Sequence, residues 1–578
     1  MFLAASSDAC AKTFYLKPSS NWQQANARFA VYAFGSGEAW FNMSAVSDNT
    51  GYYQAAVDDK YTTVIFCRMN PSTAENDWKN KWNQTQDMPV ESGKDLCVIT
   101  EGTWDNNGTW STYNSGDPSV DPEPVTPEDY GTAVPGECTD VMLQAFYWKS
   151  NVNSGYGDTK WATLEGQVNE IAQSFTMVWL PPSSQASGIS AGGLGYIPLE
   201  YCSPSCLMGK RAALESLIGA LHNNGVRVLA DVVINHIGNP SGNCTLKAED
   251  FGSYGSYTPT KDWLTSNDEG NCGSNGNADD GQHEANYGAA RDWDHKNTNV
   301  QNMCKSYLKW LKGELKYDGF RYDYVGGYHV SHINDYNSEA KPYFSVIEYW
   351  IGDANELKTR IDQAGKNTLA FDFAAKYTAF RDGIYNKNYA KCKNAGLRGN
   401  GYSKYAVTFI DNHDTFNRGN DAEDVANKRD GSSINDVSLM MRCHAYLLSM
   451  PGVPCVFYPH WVKYKSEIKA MINARRMAGV HSESSVQEES GNGYYRATVQ
   501  GKYGSVKLML GSAANDATPT GYTQAVKGTD YAMYYTGTGP QGVENVQIEQ
   551  KGEKFIENGQ LYIRCGEYVF DAQGRRMN

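Results

Sequence analysis

The chain has 578 residues, a formal net charge of −14 and a pI near 5.3, and 12% of its residues are aromatic, with 39 Tyr and 14 Trp. That length exceeds one ordinary hydrophobic core and predicts several domains. The acidic balance argues against a nucleic-acid partner, whose phosphates need a basic footprint, and no apolar run reaches the roughly 18 residues that cross a membrane, so no transmembrane segment is expected.

The start, MFLAASSDAC, is apolar only briefly and reads equally as the stub of a trimmed secretion signal or as a disordered terminus. Across residues 1–112 short runs such as ARFAVYAF, YTTVIFCRM and DLCVIT alternate with turn-rich pieces, the texture of a small β-sandwich. Residues 113–137, beginning YNSGDPSVDPEPVTPEDYG, are rich in proline, acid and small residues and predict an extended linker. From Val141 onward strand-like and helical runs alternate. The strand-like ones are VMLQAF, FTMVWL, VRVLADVV, DGFRYDY, YFSVIE, LAFDF, AVTFID and VPCVFY. Amphipathic segments such as KRAALESLIGALHNNG, with Gly225 as its cap, and NVQNMCKSYLKWLKGEL lie between them. Such alternation predicts an α/β fold, a (β/α)8 TIM barrel over 138–478. One connection, about 237–291, is long, rich in glycine and asparagine and without helical periodicity; it is read as an inserted domain on the catalytic face. Residues 479–545 return to short β runs (YYRATVQ, SVKLMLG, YAMYYTG), which predict a C-terminal antiparallel β domain, and 546–578 read as a β tail. The 13 cysteines show no C-x-x-C pattern; Cys202 with Cys206 and Cys244 with Cys272 are the locally plausible disulfides, against reduced buried thiols.

Charge inside YDGFRYDYVGGY needs explaining. Residues two apart in a strand share a face, so Arg321 and Asp323 point one way and Phe320, Tyr322 and Tyr324 the other. That is either a buried structural ion pair or a strand that ends at a reacting centre. In a barrel, reacting groups gather at the carboxyl ends of strands. Asp323, Glu348 and Asp414 all fall there, beside His236 and His413. Taken singly, each carboxylate could cap the following helix. Three together would repel one another, which strains a purely structural reading. Glycoside hydrolysis needs such a group: an ionised carboxylate at the anomeric carbon and a protonated one at the leaving oxygen. Asp323, beside Arg321, suits the first role. Glu348, after an apolar run and before Tyr349 and Trp350, suits the second, its pKa raised by desolvation. Asp414 is then placed to bind sugar hydroxyls.

DVVINH, GFRYDYV, VIEYW and FIDNHDT, with GYIP, DWDHKN and MPGVPCVFY, resemble the ordered sequence blocks of the α-amylase family, retaining glycoside hydrolases that act on α-glucans; the match runs from about Val141 to Arg476. The resemblance implies Asp323 as nucleophile, Glu348 as general acid/base and Asp414 as transition-state stabiliser. It further implies Arg321, His236, His413 and Tyr196 as contacts to the sugar at the cleavage point, Tyr196 by stacking. It also implies calcium (Ca2+), held by the side chains of Asn235 and Asp292 and by backbone oxygens of Ala289 and Gly327. Two positions depart from the pattern. Asn286 stands where plant-like members carry an aspartate, which lowers the site's charge, and Gly326 stands where many have a lysine or histidine reaching toward the leaving side.

The N-terminal segment, with ARFAVYAFGSGEAWFNM and NDWKNKWNQT, is similar to starch-binding modules of carbohydrate-binding family 26; Tyr32, Trp40 and Trp82 are the candidate sugar contacts, each otherwise a core residue by strand alternation. The ending YIRCGEYVFDAQGRR resembles those of secreted or surface carbohydrate-active proteins of Bacteroidetes-type bacteria, and equally a simple final hairpin. The expectation is a secreted or bacterial cell-surface endo-acting α-amylase, monomeric, whose partners are starch, amylose and maltooligosaccharides. A transglycosylase and a catalytically dead glucan-binding protein are the rivals.

Overall fold

The eight apolar runs of the central region become eight strands: Met142–Gln144, Met177–Trp179, Arg227–Val232, Gly319–Tyr322, Phe344–Ile347, Leu369–Phe371, Ala406–Phe409 and Val453–Phe457. They pair in parallel in chain order, and the last pairs with the first to close a barrel. Helices cover their outer faces while side chains fill the inside, so both faces are dry and the runs read as continuously apolar. Arg211–Asn223 buries Leu214, Leu217, Ile218 and Leu221 along one stripe, and Gly225 follows at φ +70°, donating its N–H to His222 O at 2.9 Å. Thr298–Gly313 starts at Asn297, whose side chain accepts from Asn299 N.

The structure, a computed structural model, describes residues 11–46, 52–91, 94–100, 102–111, 124–152, 155–186, 194–238, 245–267, 272–283, 290–416, 433–539, 553–557, 560–565 and 568–571. Among these no helix is long and apolar enough to cross a membrane.

The neck of the inserted segment is a two-stranded ladder, His236–Ile237 against Arg291–Asp292. Within the segment Glu249–Asp250 pairs with Ser256–Tyr257. Cys272 is disulfide-bonded, and Cys244 lies outside the described residues. Cys202 and Cys206 are both free, which corrects the pairing expected for them: Cys202 Sγ lies 3.8 Å from Glu200 Oε1, and Cys206 belongs to a tight bridge with Gly209.

The N-terminal domain packs a five-stranded sheet against a second sheet built on Arg28–Gly35 and Thr63–Met69, around its own core of Phe14, Leu16, Phe29, Val31, Val64 and Phe66. The C-terminal sheet orders Ser485–Gly491, Tyr494–Gln500, Ser505–Gly511, Tyr531–Tyr535 and Thr523–Gly528, two strands more than the sequence predicts. Its Tyr495, Val499, Val506 and Leu508 merge with the barrel's core. Arg398 of the barrel locks that joint through a bidentate pair with Glu488, at 2.8 and 3.1 Å. The tail forms three antiparallel strands, Glu553–Glu557, Gln560–Cys565 and Tyr568–Asp571. The second half of the proline-rich stretch is strapped to the barrel: Val125 N donates to His222 O, Tyr130 N to Lys341 O, and Ala133 O accepts from Ser345 N.

Candidate active site

Strand pairing decides who meets at the carboxyl end. Asp231 and Arg321 are register partners on adjacent strands and both face inward. Asp323 follows two residues on, tied down as its N–H donates to Val232 O, and Glu348 arrives from the next strand, donating to Tyr322 O. Arg321 sits at the centre. Its Nη1 donates to Asp231 Oδ1 at 2.8 Å and to Asp323 Oδ1 at 2.6 Å. Its Nη2 lies 2.8 Å from Glu348 Oε1, an ion-pair contact bent out of line for a hydrogen bond. Asp323 and Glu348 are therefore separated by no more than one guanidinium fork.

Exposure sorts these groups. The side chains of Arg321 and Asp231 are 0% exposed, whereas Asp323 at 11%, Glu348 at 8% and Asp414 at 20% reach the opening of the barrel. Asp231 is a site residue that the sequence reading passed over: its Oδ2 accepts from Tyr196 OH at 2.7 Å and from Trp179 Nε1 at 3.0 Å, so it orients two aromatic walls as well as Arg321.

Three carboxyls against one cation cannot all ionise easily. Burial pushes Asp323 up to about 6 against the pull of Arg321, and does the same to Asp231. Glu348 is raised by burial, then further by the charge of Asp323. Each biases the other, Glu348 lowering Asp323 and Asp323 raising Glu348, a direction that favours the proton on Glu348. Tyr324, in the left-handed region at φ +50°, directs its N–H to Glu348 Oε2 at 3.2 Å. A bulky residue in that region costs on the order of 1–3 kcal/mol, a cost concentrated at functional sites.

His413 and Asp414 come from the loop after Ala406–Phe409. Gln144 Nε2 donates to His413 Nδ1 at 2.9 Å, which leaves the proton on Nε2, 3.2 Å from Asp414 Oδ2. Tyr196 lies stacked on His413, ring centroids 5.0 Å apart, and so joins the wall of the site. Burial lowers His236 to about 4, keeping it neutral; its Nε2 donates to Tyr196 O at 2.8 Å.

Beneath Asp414 a buried polar cluster fixes the loop. Asn412 Oδ1 accepts from the N–H groups of Asp414 and Thr415. Asp411 Oδ1 accepts from Lys376 Nζ at 3.3 Å and Thr415 Oγ1 at 3.4 Å, its Oδ2 lies 3.3 Å from His460 Nε2, and Lys376 also donates to Ile410 O at 2.7 Å. Lys376 opens a π-helix, Lys376–Tyr385, and is fully buried. Removing one member of such a pair strands the other charge. Lys376→Met is expected to cost about 3–5 kcal/mol of stability, read as a lower urea midpoint, and to lower kcat by displacing Asp414.

At the neck of the insertion, Asn235 Nδ2 donates to Asp292 Oδ1 at 3.0 Å while the buried Asn235 Oδ1 has no donor among the described residues. A side chain on Gly327 would come within 2.1 Å of that oxygen, so glycine keeps the spot open. An orphaned amide oxygen, a buried carboxylate and adjoining backbone are the donor chemistry that calcium takes. Asn286 and Ala289 lie outside the described residues. Among the described residues no group of three His, Cys, Asp or Glu is disposed around a metal.

In the N-terminal domain Tyr32 and Trp40 are in contact, ring centroids 5.0 Å apart, on the outer face of one sheet. Trp82 is elsewhere, against Arg68. The third member of the Tyr32 cluster is Trp78, 4.7 Å from Tyr32 and 4.9 Å from Trp40.

No family model matches the chain. Probable alpha-amylase 2 of Arabidopsis thaliana is 30% identical over 430 residues, spanning 68% of this chain and 94% of that protein. The chain belongs to the α-amylase family. A glucan 1,4-alpha-maltotetraohydrolase of Roseateles saccharophilus is 29% identical over 408 residues, covering 64% of this chain and 68% of the relative. The crystal structure of gamma-CGTase from alkalophilic Bacillus clarkii overlaps 78% of this chain and 83% of its own with a TM-score of 0.50 at 14% identity, a likeness of fold. As a member of the α-amylase family the chain is a glycoside hydrolase, and the carboxylate group around Arg321 stands where a (β/α)8 barrel carries its chemistry.

Proposed function

We propose that the chain is an endo-acting α-amylase that hydrolyses α-1,4-glucosidic bonds of starch, amylose and maltooligosaccharides with retention. The observation that carries this reading is the pair Asp323 and Glu348 on the two prongs of one arginine, where burial and the charge of Asp323 raise Glu348 as a proton donor requires. In the first step Asp323 attacks the anomeric carbon as the glycosidic bond breaks, and Glu348 gives its proton to the departing oxygen. In the second, Glu348 as carboxylate takes a proton from water, whose oxygen displaces Asp323 from the same carbon. Asp414 accepts sugar hydroxyls and favours the distorted ring. Arg321 holds the nucleophile in line, and Tyr196, His236 and His413 wall the reacting sugar.

Calcium, where bound, clamps the insertion to the barrel through Asn235 and Asp292, joined by Asn286 and by the backbone at Ala289 and Gly327. The domain reading follows the sequence: a starch-binding sandwich to 112, the stretch 113–137, the barrel over 138–478, a β domain to 545 and the tail. Tyr32, Trp40 and Trp78 offer the sandwich an aromatic platform for glucose rings. The disulfide at Cys272 supports a secreted or cell-surface location.

A time course of oligosaccharides from amylose, with and without chelator, tests the reading. Internal cutting yields a spread of maltooligosaccharides at early times, with newly formed ends in the α configuration by NMR. Chelator lowers the melting temperature and slows release, and calcium restores both. Products in the β configuration, or no release at all, refute the proposal.

A further inference from the structure

The large apolar side chains left exposed among the described residues include just three tryptophans, Trp78 at 44%, Trp82 at 39% and Trp104 at 42%, all in the N-terminal domain. They fall into two sets. Trp78 joins Tyr32 and Trp40 on the outer sheet face, above Cys67 and Met69. Arg68, between Cys67 and Met69 in the strand, faces the opposite way and carries the other two: its guanidinium carbon lies 4.6 Å from the Trp82 ring centroid and 5.4 Å from that of Trp104.

We propose that Trp82 and Trp104 form a second α-glucan-binding platform on this domain, separate from the Tyr32–Trp40–Trp78 cluster. Arg68 is itself unavailable to a ligand. Its Nε donates to Trp22 O at 2.8 Å, Nη2 to Gln24 O at 2.6 Å and Nη1 to Asn83 Oδ1 at 3.2 Å. Each of its three nitrogens donates to a carbonyl or amide oxygen, and its charge is met by two π faces. Trp22 Nε1 donates to Trp104 O at 2.7 Å, fixing the loop that bears Trp104. The result is a pair of large indoles held by buried anchors yet open to water, so binding costs little ordering. Exposed beside them are Asp105 and Asn106, next to Trp104 in the chain, and Gln24, whose carbonyl accepts from Arg68. Flat apolar faces with amides and a carboxylate beside them match a pyranose, whose C–H faces stack and whose hydroxyls lie at its edge. The choice of α-glucan rests on the proposed hydrolase reading; with two platforms on one domain, a starch surface is held by avidity.

The test uses the full chain carrying Asp323→Asn, so that starch persists, and measures adsorption to granular starch. Trp82→Ala with Trp104→Ala is expected to weaken adsorption by about tenfold, as is Tyr32→Ala with Trp40→Ala and Trp78→Ala; all five together should weaken it by about a hundredfold or more. Trp82→Phe with Trp104→Phe, which keeps flat rings on Arg68, should restore most of the loss. As a second readout, maltoheptaose should perturb the tryptophan fluorescence of the chain lacking Tyr32, Trp40 and Trp78 more than that of the chain lacking all five, in which only the barrel site is left to respond. Full adsorption without Trp82 and Trp104, or equal fluorescence responses in those two chains, overturns the platform. Absence of starch hydrolysis by the parent chain would instead overturn the underlying reading.

Discussion

Asp323→Asn is expected to lower kcat on amylose by about 10⁵-fold or more, the scale seen when a nucleophile is removed, while leaving the protein more stable than the parent at neutral pH. The second half separates chemistry from architecture. Were Asp323 a structural partner of Arg321, its loss would strand a buried cation and cost about 3–5 kcal/mol. Arg321 has two further carboxyls, Asp231 at 2.8 Å and Glu348 at 2.8 Å, so it stays paired. Asp323 is the unfavourable member: burial raises it to about 6, above its ordinary value of 3.8. A carboxyl whose folded pKa is raised favours the fold below the ordinary value and loses that contribution as pH climbs to about 6. Asparagine cannot ionise and escapes the loss. The stability difference should thus be largest above pH 6 and vanish below about 4. Thermal melts of both proteins from pH 3.5 to 7.5, with stopped assays on amylose, check both halves. Residual turnover near parental, or a variant that melts lower at pH 7, contradicts the assignment.

What could be read in advance depended on whether a residue's role is encoded locally. All eight barrel strands were legible, because strands buried on both faces are apolar without interruption, and Arg321 and Asp323 stood out as the charge in such a run. Asp231 did not stand out, since an aspartate at the end of VRVLAD also suits a turn; its meaning comes from pairing opposite Arg321 on a neighbouring strand. The choice between Trp78 and Trp82 turns on an irregularity in strand pairing between Arg68 and Met69, which alternation alone does not reveal. Lys376 gives no signal in the sequence because composition does not mark the start of a π-helix, and its role comes from its contact with Asp411, 35 residues on. The stretch 124–137 reads as linker by composition, yet its main chain hydrogen-bonds to the barrel, an interaction indifferent to side-chain type. Cys202 and Cys206 show the same limit: spacing does not say which way a thiol points.

Glu348→Gln should separate the two carboxyls by leaving group. With amylose, where the departing sugar oxygen needs a proton, kcat is expected to fall about 10³-fold, within the range for loss of a general acid. With maltosyl fluoride the first step needs no proton, so Asp323 should still form the glycosyl-enzyme, and the defect moves to the second step, where no base activates water. A burst of fluoride equal to the enzyme present, followed by slow turnover, is the expected trace. Azide, which attacks without giving up a proton, should restore turnover and form the α-glycosyl azide. The pH profile carries the same signature. In the parent, kcat/KM should rise as Asp323 ionises and fall as Glu348, raised above the ordinary carboxyl range, loses its proton, the two limbs belonging to the coupled pair. The Gln variant has no proton to lose, so its alkaline limb should flatten while the acid limb remains. The converse pattern, azide rescue in Asp323→Asn and none in Glu348→Gln, would exchange the two roles. Rescue in neither would show that Arg321 gathers these carboxyls for some purpose other than double displacement at one acetal carbon.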